Sequence, residues 1–551
     1  MGTNAGQTRN RIISLIFAIL SAALIVVCHK FVTDGTLFTT EEEASLSGIH
    51  IRMLDQLLWL AVLLYLLFMA AAHLVLKNDI LLWNFEIPWM HGERRKSTLI
   101  NGAILFILLM PAFLALYPGY QAYDAPIVAG AFLKDGALTT YQPVLHTVFT
   151  AACYKLGFLL TGGYTAGVTI YGLVQEILTI IVFLIVINKM LDWKVPDLVI
   201  ALPFLLLILN PMVQVFIFMT TKDTLYSVFT LLWIVYLVDG YRKDTVNLIP
   251  TVIAAILMVQ LRKQGLYILI LTFPFVLFLQ WRRKTKRRNV ILSFAVPIVI
   301  SFMIYGPLFS LLGIGGDRAA EKLSVPIQQI ARVLVYEKDT VAKEDLEQIY
   351  RYMPKESLEG YIPEISDLVK VKFNNDYYAS HKAGFWKVWW KLLRIHKESY
   401  IDSFLYLTVG YFYPDSGATN GWGYTDNYKA FLDNDYEPRP ILKGYYNYLM
   451  SAAKTMLDDT PFLSNLMCIG LPFWFLVAVL LIGLVRRQRA FWIALIPSGL
   501  YGATLLLGPV CCWRYVLPLY LSIPVLCAVL FTEEQPWTDR RKELYRDQQM
   551  L

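Results

Sequence analysis

Charge is what this sequence has least of. Only 17% of its 551 residues are Asp, Glu, Lys or Arg, against 57% hydrophobic, and the mean hydropathy is +0.50. A chain this apolar cannot hide its side chains inside soluble cores, so a water-soluble globular protein is excluded and a membrane protein is implied. Zinc-site signatures are missing too, because no CxxC or HExxH spacing occurs. The cysteines (Cys28, Cys153, Cys468, Cys511, Cys512, Cys527) all lie in or beside apolar runs, so no disulfide framework is implied. No solenoid repeat and no low-complexity tract is present. The surplus of 49 Lys+Arg over 42 Asp+Glu suits the orientation of membrane helices, and no nucleic-acid partner is expected.

What is there is a series of apolar runs. A bilayer core of roughly 30 Å needs about 20 apolar residues per helix. The runs near 12–31, 56–77, 98–117, 164–188, 197–212, 223–239, 247–261, 265–281, 290–313, 463–485, 490–508 and 512–531 then predict about twelve spans in an all-α polytopic protein. The first follows Arg9 and Arg11 without a small-x-small cleavage site and reads as a retained anchor. Basic loops at 93–96, 241–243, 281–288 and 486–489 are expected to face the cytoplasm, together with both termini. The apolar stretch 143–160 is not expected to cross, because a crossing there would strand the 281–288 cluster outside. It lies along the outer interface or re-enters, which makes 118–163 a long first outer loop. The polar stretch 314–462 carries 18 basic and 21 acidic residues, lacks a positive bias, and is expected to be a mainly helical outer domain. The resulting division is a two-helix extension (1–97), a membrane core (98–313), the outer domain (314–462), three C-terminal spans (463–531) and a cytoplasmic tail (532–551). Within the outer domain, Phe385, Trp389 and Leu392 form a helical stripe interleaved with bases. That stripe fits a helix lying on the outer leaflet or a buried amphipathic helix equally well, and sugar-stacking aromatics less well.

Ionisable groups are costly at membrane depth, so those beside apolar runs are the places to look for chemistry. Asp124, after the Pro118-Gly119 break, is a candidate base; it also suits the N-cap of a helix opening at Ala125-Pro126. Gln142 and His146 follow in the same loop, and a lone histidine is more often structural than reactive. Lys222 and Asp223 open a span; they either flank it or hold a phosphate or a metal. Arg262-Lys263 and Arg514 fall on the outer side against the orientation rule, and a pocket for an anionic ligand explains them better than snorkelling. Glu176, well inside a span, is expected to be a neutral, hydrogen-bonded packing residue rather than part of a proton relay.

These motifs resemble the GT-C-type integral membrane glycosyltransferases, specifically bacterial members that use polyprenyl-phosphate sugars. The likeness rests on the long first outer loop with its acidic residue, Tyr117-Pro-Gly-Tyr-Gln-Ala-Tyr-Asp124, and on the large late outer domain. The chain is also similar to an uncharacterised bacterial family related to that superfamily. This second likeness runs through Gln142-Pro-Val-Leu-His146, Thr221-Lys222-Asp223, Leu261-Arg262-Lys263-Gln264-Gly265-Leu266, Leu323-Ser-Val-Pro326-Ile-Gln-Gln and Arg514-Tyr515-Val-Leu-Pro518. It covers most of the chain after residue 98, and the first two spans are an addition. The resemblance implies an inverting transfer of sugar from a polyprenyl-phosphate donor to a hydroxyl of a glycan, lipid or protein acceptor on the outer face. Asp124 is then the base, Lys222, Arg262 and Arg514 bind the donor phosphate, and Asp223, His146, Lys263, Tyr123 and Gln142 support them. Asp223 would hold Lys222 in place or bind a divalent ion. Superfamily members commonly carry a paired acidic motif in the first loop; here only Asp124, next to Tyr123, is present, so a Mg or Mn ion, held by Asp124 or Asp223, is an open part of the expectation. The rival readings are a lipid-linked glycan flippase or transporter, a polysaccharide polymerase, and a membrane scaffold.

Overall fold

A computed structural model describes residues 4–38, 47–77, 85–121, 124–281, 287–316, 318–414, 436–455, 460–487 and 489–531. Tyr123, the middle of the 281–288 basic cluster and the tail 532–551 lie outside the described residues. Among the described residues the secondary structure is helical, with only isolated β-bridges.

The membrane part runs through α1 (Asn4–Asp34), α2 (Ser47–Lys77), α3 (Arg94–Ala115), α4 (Ala125–Asp135), α5 (Val144–Thr161), α6 (Thr165–Asp192), α7 (Asp197–Leu209), α8 (Pro211–Phe218), α9 (Lys222–Arg242), α10 (Leu248–Leu261), α11 (Gln264–Trp281) and α12 (Arg287–Met303). A polar domain follows with α13 (Ser324–Tyr336), α14 (Lys343–Tyr352), α15 (Asp367–Lys370), α16 (Asn375–Ser380), α17 (Lys382–Ile395) and α18 (Lys397–Thr408). The chain ends on α19 (Lys443–Thr455), α20 (Pro461–Met467), α21 (Leu471–Arg486), α22 (Phe491–Leu505) and α23 (Trp513–Phe531).

Nine helices among the described residues are long and apolar enough to cross a membrane. The expected spans that miss this test are the short helices α10, α21 and α22, while the α7–α8 pair passes it only when taken together, as one span bent by 69°. The bend has a local cause. Pro211 pushes Asn210 out of the helical region into an extended conformation, and the Asn210 side chain then caps α8 by accepting from the N–H groups of Met212 and Val213. The α8 segment is buried along its whole length. At the centre of the bundle stands α9, with nearly every side chain from Asp223 to Tyr241 buried. The outlying α2 instead exposes Leu58, Trp59, Leu63 and Leu66, as a lipid-facing helix does.

By length and composition α5 also qualifies as a span, although it was expected to lie along the interface. Its contacts with α6 gather at one end of that helix. Phe158 stacks on Tyr164, Gly157 meets Gly167, and Phe149 and His146 reach Tyr171. Residues 146–158 of α5 thus pack back, in antiparallel order, on the first two turns of α6 and cross it most closely at Gly157 and Gly167. The crossing needs its glycines: a Cβ at Gly157 would fall on the backbone of Gly167, and one at Gly167 on the backbone of Tyr154. Gly167→Ala is therefore expected to lower the thermal unfolding midpoint by several degrees in detergent, the usual effect of overpacking. An unchanged midpoint would show that the two helices can part without cost.

The stripe on α17 is a core stripe. Phe385, Val388 and Leu392 are buried against Ile330, Ile349, Tyr352 and Tyr400 of the polar domain, while Trp389 packs at the edge and donates its indole N–H to Gln329. That corrects the reading in which this face lies on the bilayer. The domain docks on the membrane part through Ser366, whose N–H donates to Pro509 O at 2.9 Å, and through Thr140, whose N–H donates to Gly315 O at 3.0 Å.

Both ends of the bundle are now defined. The basic loops begin or end α3, α9, α11 and α21 at one end. The first residues of α9, α11 and α23 and the last of α3 and α10 meet at the other, beneath the polar domain.

Candidate functional site

Helix boundaries place the polar residues at that second end. Thr221 caps α9 by accepting from the Asp223 N–H, which turns Lys222 and Asp223 inward at the helix start. The α10 helix stops at Arg262, whose extended backbone (φ −157) breaks the run before α11 begins at Gln264. Arg514 is set by its neighbour Trp513, which stacks on Phe216 of α8 and donates to Met467 O.

Two chains of contacts result. In the first, Gln142 donates its amide N–H to Asp124 Oδ2 at 3.1 Å and accepts at its carbonyl from the Lys222 ammonium. In the second, Asp223 Oδ1 lies 2.9 Å from an Arg262 Nη, an ionic contact rather than a directed hydrogen bond, while Asp223 Oδ2 accepts from the Thr221 hydroxyl. Arg262 and Arg514 share one aromatic ring, their guanidinium carbons lying 4.9 and 4.7 Å from the centroid of Tyr515. Arg514 also donates to the Tyr515 hydroxyl at 2.8 Å. Lys222 and Asp223 join the two chains as neighbours, and both feel the charges of Arg262 and Arg514. Burial works against the Arg262 charge, yet Asp223 together with Tyr501, Tyr515 and Tyr226 outweighs it and holds the guanidinium above its ordinary value.

The structure thus brings Asp124, Gln142, Lys222, Asp223, Arg262 and Arg514 together. It does not do so for Lys263, which turns to the ring of Tyr305 at 5.7 Å. His146 is buried next to the cluster and bonded to the Tyr171 hydroxyl at 2.8 Å, which also contacts Gln175 and Thr221 O. It supports the floor beneath Lys222. Asp124 does occupy the N-cap position of α4, but its side chain makes no capping bond and is turned to Gln142 instead. Asp223 does not hold Lys222, as had been expected: its partner is Arg262, and Gln142 holds the lysine. Glu176 is fully buried, yet neither carboxylate oxygen has a hydrogen-bond partner, so the hydrogen-bonded role expected of it is not met.

A divalent ion fits this arrangement poorly. No group of three or more His, Cys, Asp or Glu side chains gathers among the described residues, and Asp124 and Asp223 are each engaged by a different partner.

Sequence reasoning missed the aromatic and polar-domain part of the site. Tyr226 and Tyr501 flank Arg262 together with Tyr515. From above, Arg318 lies 5.7 Å from the Tyr141 ring, and the charges of Glu321 and Asp367 reach Tyr141. Burial first, then the negative charge of Asp124, pushes the Tyr141 hydroxyl up to about 12. The charge of Asp367 also reaches Tyr515, although its ion-pair partner is Lys370 at 2.6 Å. Only Tyr515, adjacent to Arg514, carried a hint of this in the sequence.

Residues 133–545 match DUF6020, described as a family of unknown function. The chain belongs to DUF6020. The DUF6020 match contains Gln142, Lys222, Asp223, Arg262 and Arg514, whereas Asp124 and helices α1–α3 precede it. No curated protein and no solved structure matches the chain.

Proposed function

We propose that this DUF6020 protein is a GT-C-like membrane glycosyltransferase of about twelve spans that moves a sugar from a polyprenyl-phosphate donor to an acceptor hydroxyl on the outer face. The observation that carries the reading is the convergence of two carboxylates, Asp124 and the Arg262-paired Asp223, with three cations at the bundle end opposite the basic loops. The acceptor hydroxyl attacks the anomeric carbon from the face opposite the phosphate and gives its proton to Asp124. The bond from that carbon to the phosphate oxygen breaks, and the electron pair leaves with the polyprenyl phosphate. Gln142 occupies one oxygen of Asp124, leaving the other for the incoming hydroxyl. The phosphate gains negative charge as the bond breaks, so fixed cations stabilise the transition state more than the ground state.

The surroundings suit such a donor. A groove of about 420 Å³ between α21, α22 and α23 is lined by Phe412, Phe473, Leu480, Leu506 and Leu519, and Tyr411 at its rim donates to Val510 O, close to Arg514. It offers an apolar bed for an isoprenoid chain beside the start of α23, where Val516 lines it two residues from Arg514. Asp367 and Glu321 of the polar domain, both paired with Lys370 at 2.6 and 2.8 Å, lie within electrostatic reach of Tyr141 and would border the acceptor.

The test is reconstitution of the full chain in vesicles with radiolabelled polyprenyl-phosphate sugars and a panel of acceptors. Loss of sugar from the donor with equal release of polyprenyl phosphate is expected. Intact donor carried across the bilayer would replace transfer by transport, a reading that the buried, broken α7–α8 pair also accommodates.

A further inference from the structure

A charged cavity lies at the opposite end of the bundle from the Asp124–Arg514 cluster. It measures about 560 Å³ and is walled by the start of α1, the end of α2 and the end of α21. Arg9, Arg11, His73 and Arg487 line it, with Asn10, and among the described residues no acidic side chain does. Arg9 and Arg487 lie close enough to repel each other. Arg11, His73 and Arg487 are exposed, and like charges gathered at one opening attract an anion.

The donors are partly committed and partly open. Arg9 closes the end of α21 by donating from one Nη to the carbonyls of Leu484 and Val485 at 3.3 and 3.1 Å. Its Nε is buried with no acceptor among the described residues. Arg487 ends α21 in the left-handed region, at φ 58, which turns the chain at the rim of the cavity. Arg11 and His73 are exposed on the α1 and α2 walls.

Location decides what kind of anion fits. Beyond the cavity along α1, Ile12, Leu15, Ile16 and Ile19 are each about half exposed, and Leu66 and Leu67 of α2 are likewise exposed. These side chains face lipid. A cationic cavity set directly against an apolar, lipid-facing wall matches an amphiphile whose head is anionic and whose tail is hydrocarbon. A zwitterionic head would bring an ammonium that finds no acid on the lining.

We infer that Arg9, Arg11, His73 and Arg487 bind the phosphodiester head of an anionic glycerophospholipid, which fastens the appended α1–α2 pair to α21 of the DUF6020 part. This site requires no sugar transfer and stands apart from the proposed reaction. Its consequence extends along α1, whose far end touches the polar domain. There His29 contacts the Tyr413 hydroxyl at 2.9 Å, and the Leu37 N–H donates to Asp402 at 3.1 Å.

The test uses purified full-length protein, delipidated in neutral detergent, with phosphatidylglycerol, phosphatidylcholine or inorganic phosphate added back. Native mass spectrometry and the thermal unfolding midpoint are the readouts. Phosphatidylglycerol is expected to be retained at one per chain and to raise the midpoint, while phosphatidylcholine and millimolar phosphate do neither. Arg11→Gln/His73→Gln, which leaves the Arg9 contacts to α21 intact, is expected to weaken retention about tenfold, and adding Arg487→Gln should remove it. Equal retention of the two lipids overturns the inference, as does undiminished retention by the variants. Reproduction of the effect by inorganic phosphate alone overturns the lipid assignment.

Discussion

Replacing Asp124 by Asn is expected to lower sugar transfer by about 10²–10⁴-fold, the range for loss of a general base, with donor binding and thermal stability close to those of the parent. The asymmetry follows from what Asp124 touches. Its side chain caps no helix, and its hydrogen-bond partner among the described residues is the Gln142 amide, so removing its charge breaks no ion pair there. An asparagine still accepts from Gln142 but takes no proton from an attacking hydroxyl. Initial rates of polyprenyl-phosphate release, measured beside donor binding, separate the two effects. A variant that transfers at the parental rate would remove Asp124 from the mechanism and leave the cations to be explained by transport of an intact anionic lipid.

At the Asp223–Arg262 pair the expected effect is on stability first. Asp223 is 1% exposed and Arg262 16%, so Arg262→Ala leaves a buried carboxylate alone. Breaking a buried pair in this way costs about 3–5 kcal/mol. The double variant Asp223→Asn/Arg262→Gln removes both charges at similar volume and should recover most of that loss. Donor affinity should not recover, because the guanidinium is then absent from the phosphate site. Chemical denaturation of the parent, the single variants and the double variant gives the stability cycle, and donor titration of the double variant gives the functional reading. If the double variant binds donor as the parent does, Arg262 serves only to hold α9 and α10 together. Arg514→Gln, which leaves the Asp223–Arg262 pair in place, should weaken donor affinity and turnover together.

How much of this was legible in the sequence depends on the kind of signal each residue gives. Charges at the margins of apolar runs stand out because membrane depth penalises them, which is why Lys222, Asp223, Arg262 and Arg514 could be singled out from position alone. Their pairing could not. Whether Asp223 holds Lys222 or Arg262 depends on the turn after α10, and local spacing carries no trace of it. Tyr226 and Tyr501 were invisible for a related reason: a tyrosine in an apolar helix looks like packing until a guanidinium is found against its ring. The α17 stripe shows the limit of periodicity. Phe385, Trp389 and Leu392 define a helical face, but the same face serves a bilayer or a protein core, and only the partners Ile330 and Tyr352 decide between them. The bend at Asn210-Pro211 fell inside a run that composition alone reads as one span, although the capping residue and the proline that cause it stand in plain view.

The Gln142 amide has one further implication. It is fixed with its nitrogen toward the acid and its oxygen toward the ammonium, and an amide so held cannot pass hydrogen ions between its neighbours. In the proposed reaction, the hydrogen ion gained by Asp124 therefore leaves on the side from which the acceptor arrived. Each turnover would then be electrically silent with respect to the bilayer, drawing nothing from the proton-motive force and returning nothing to it.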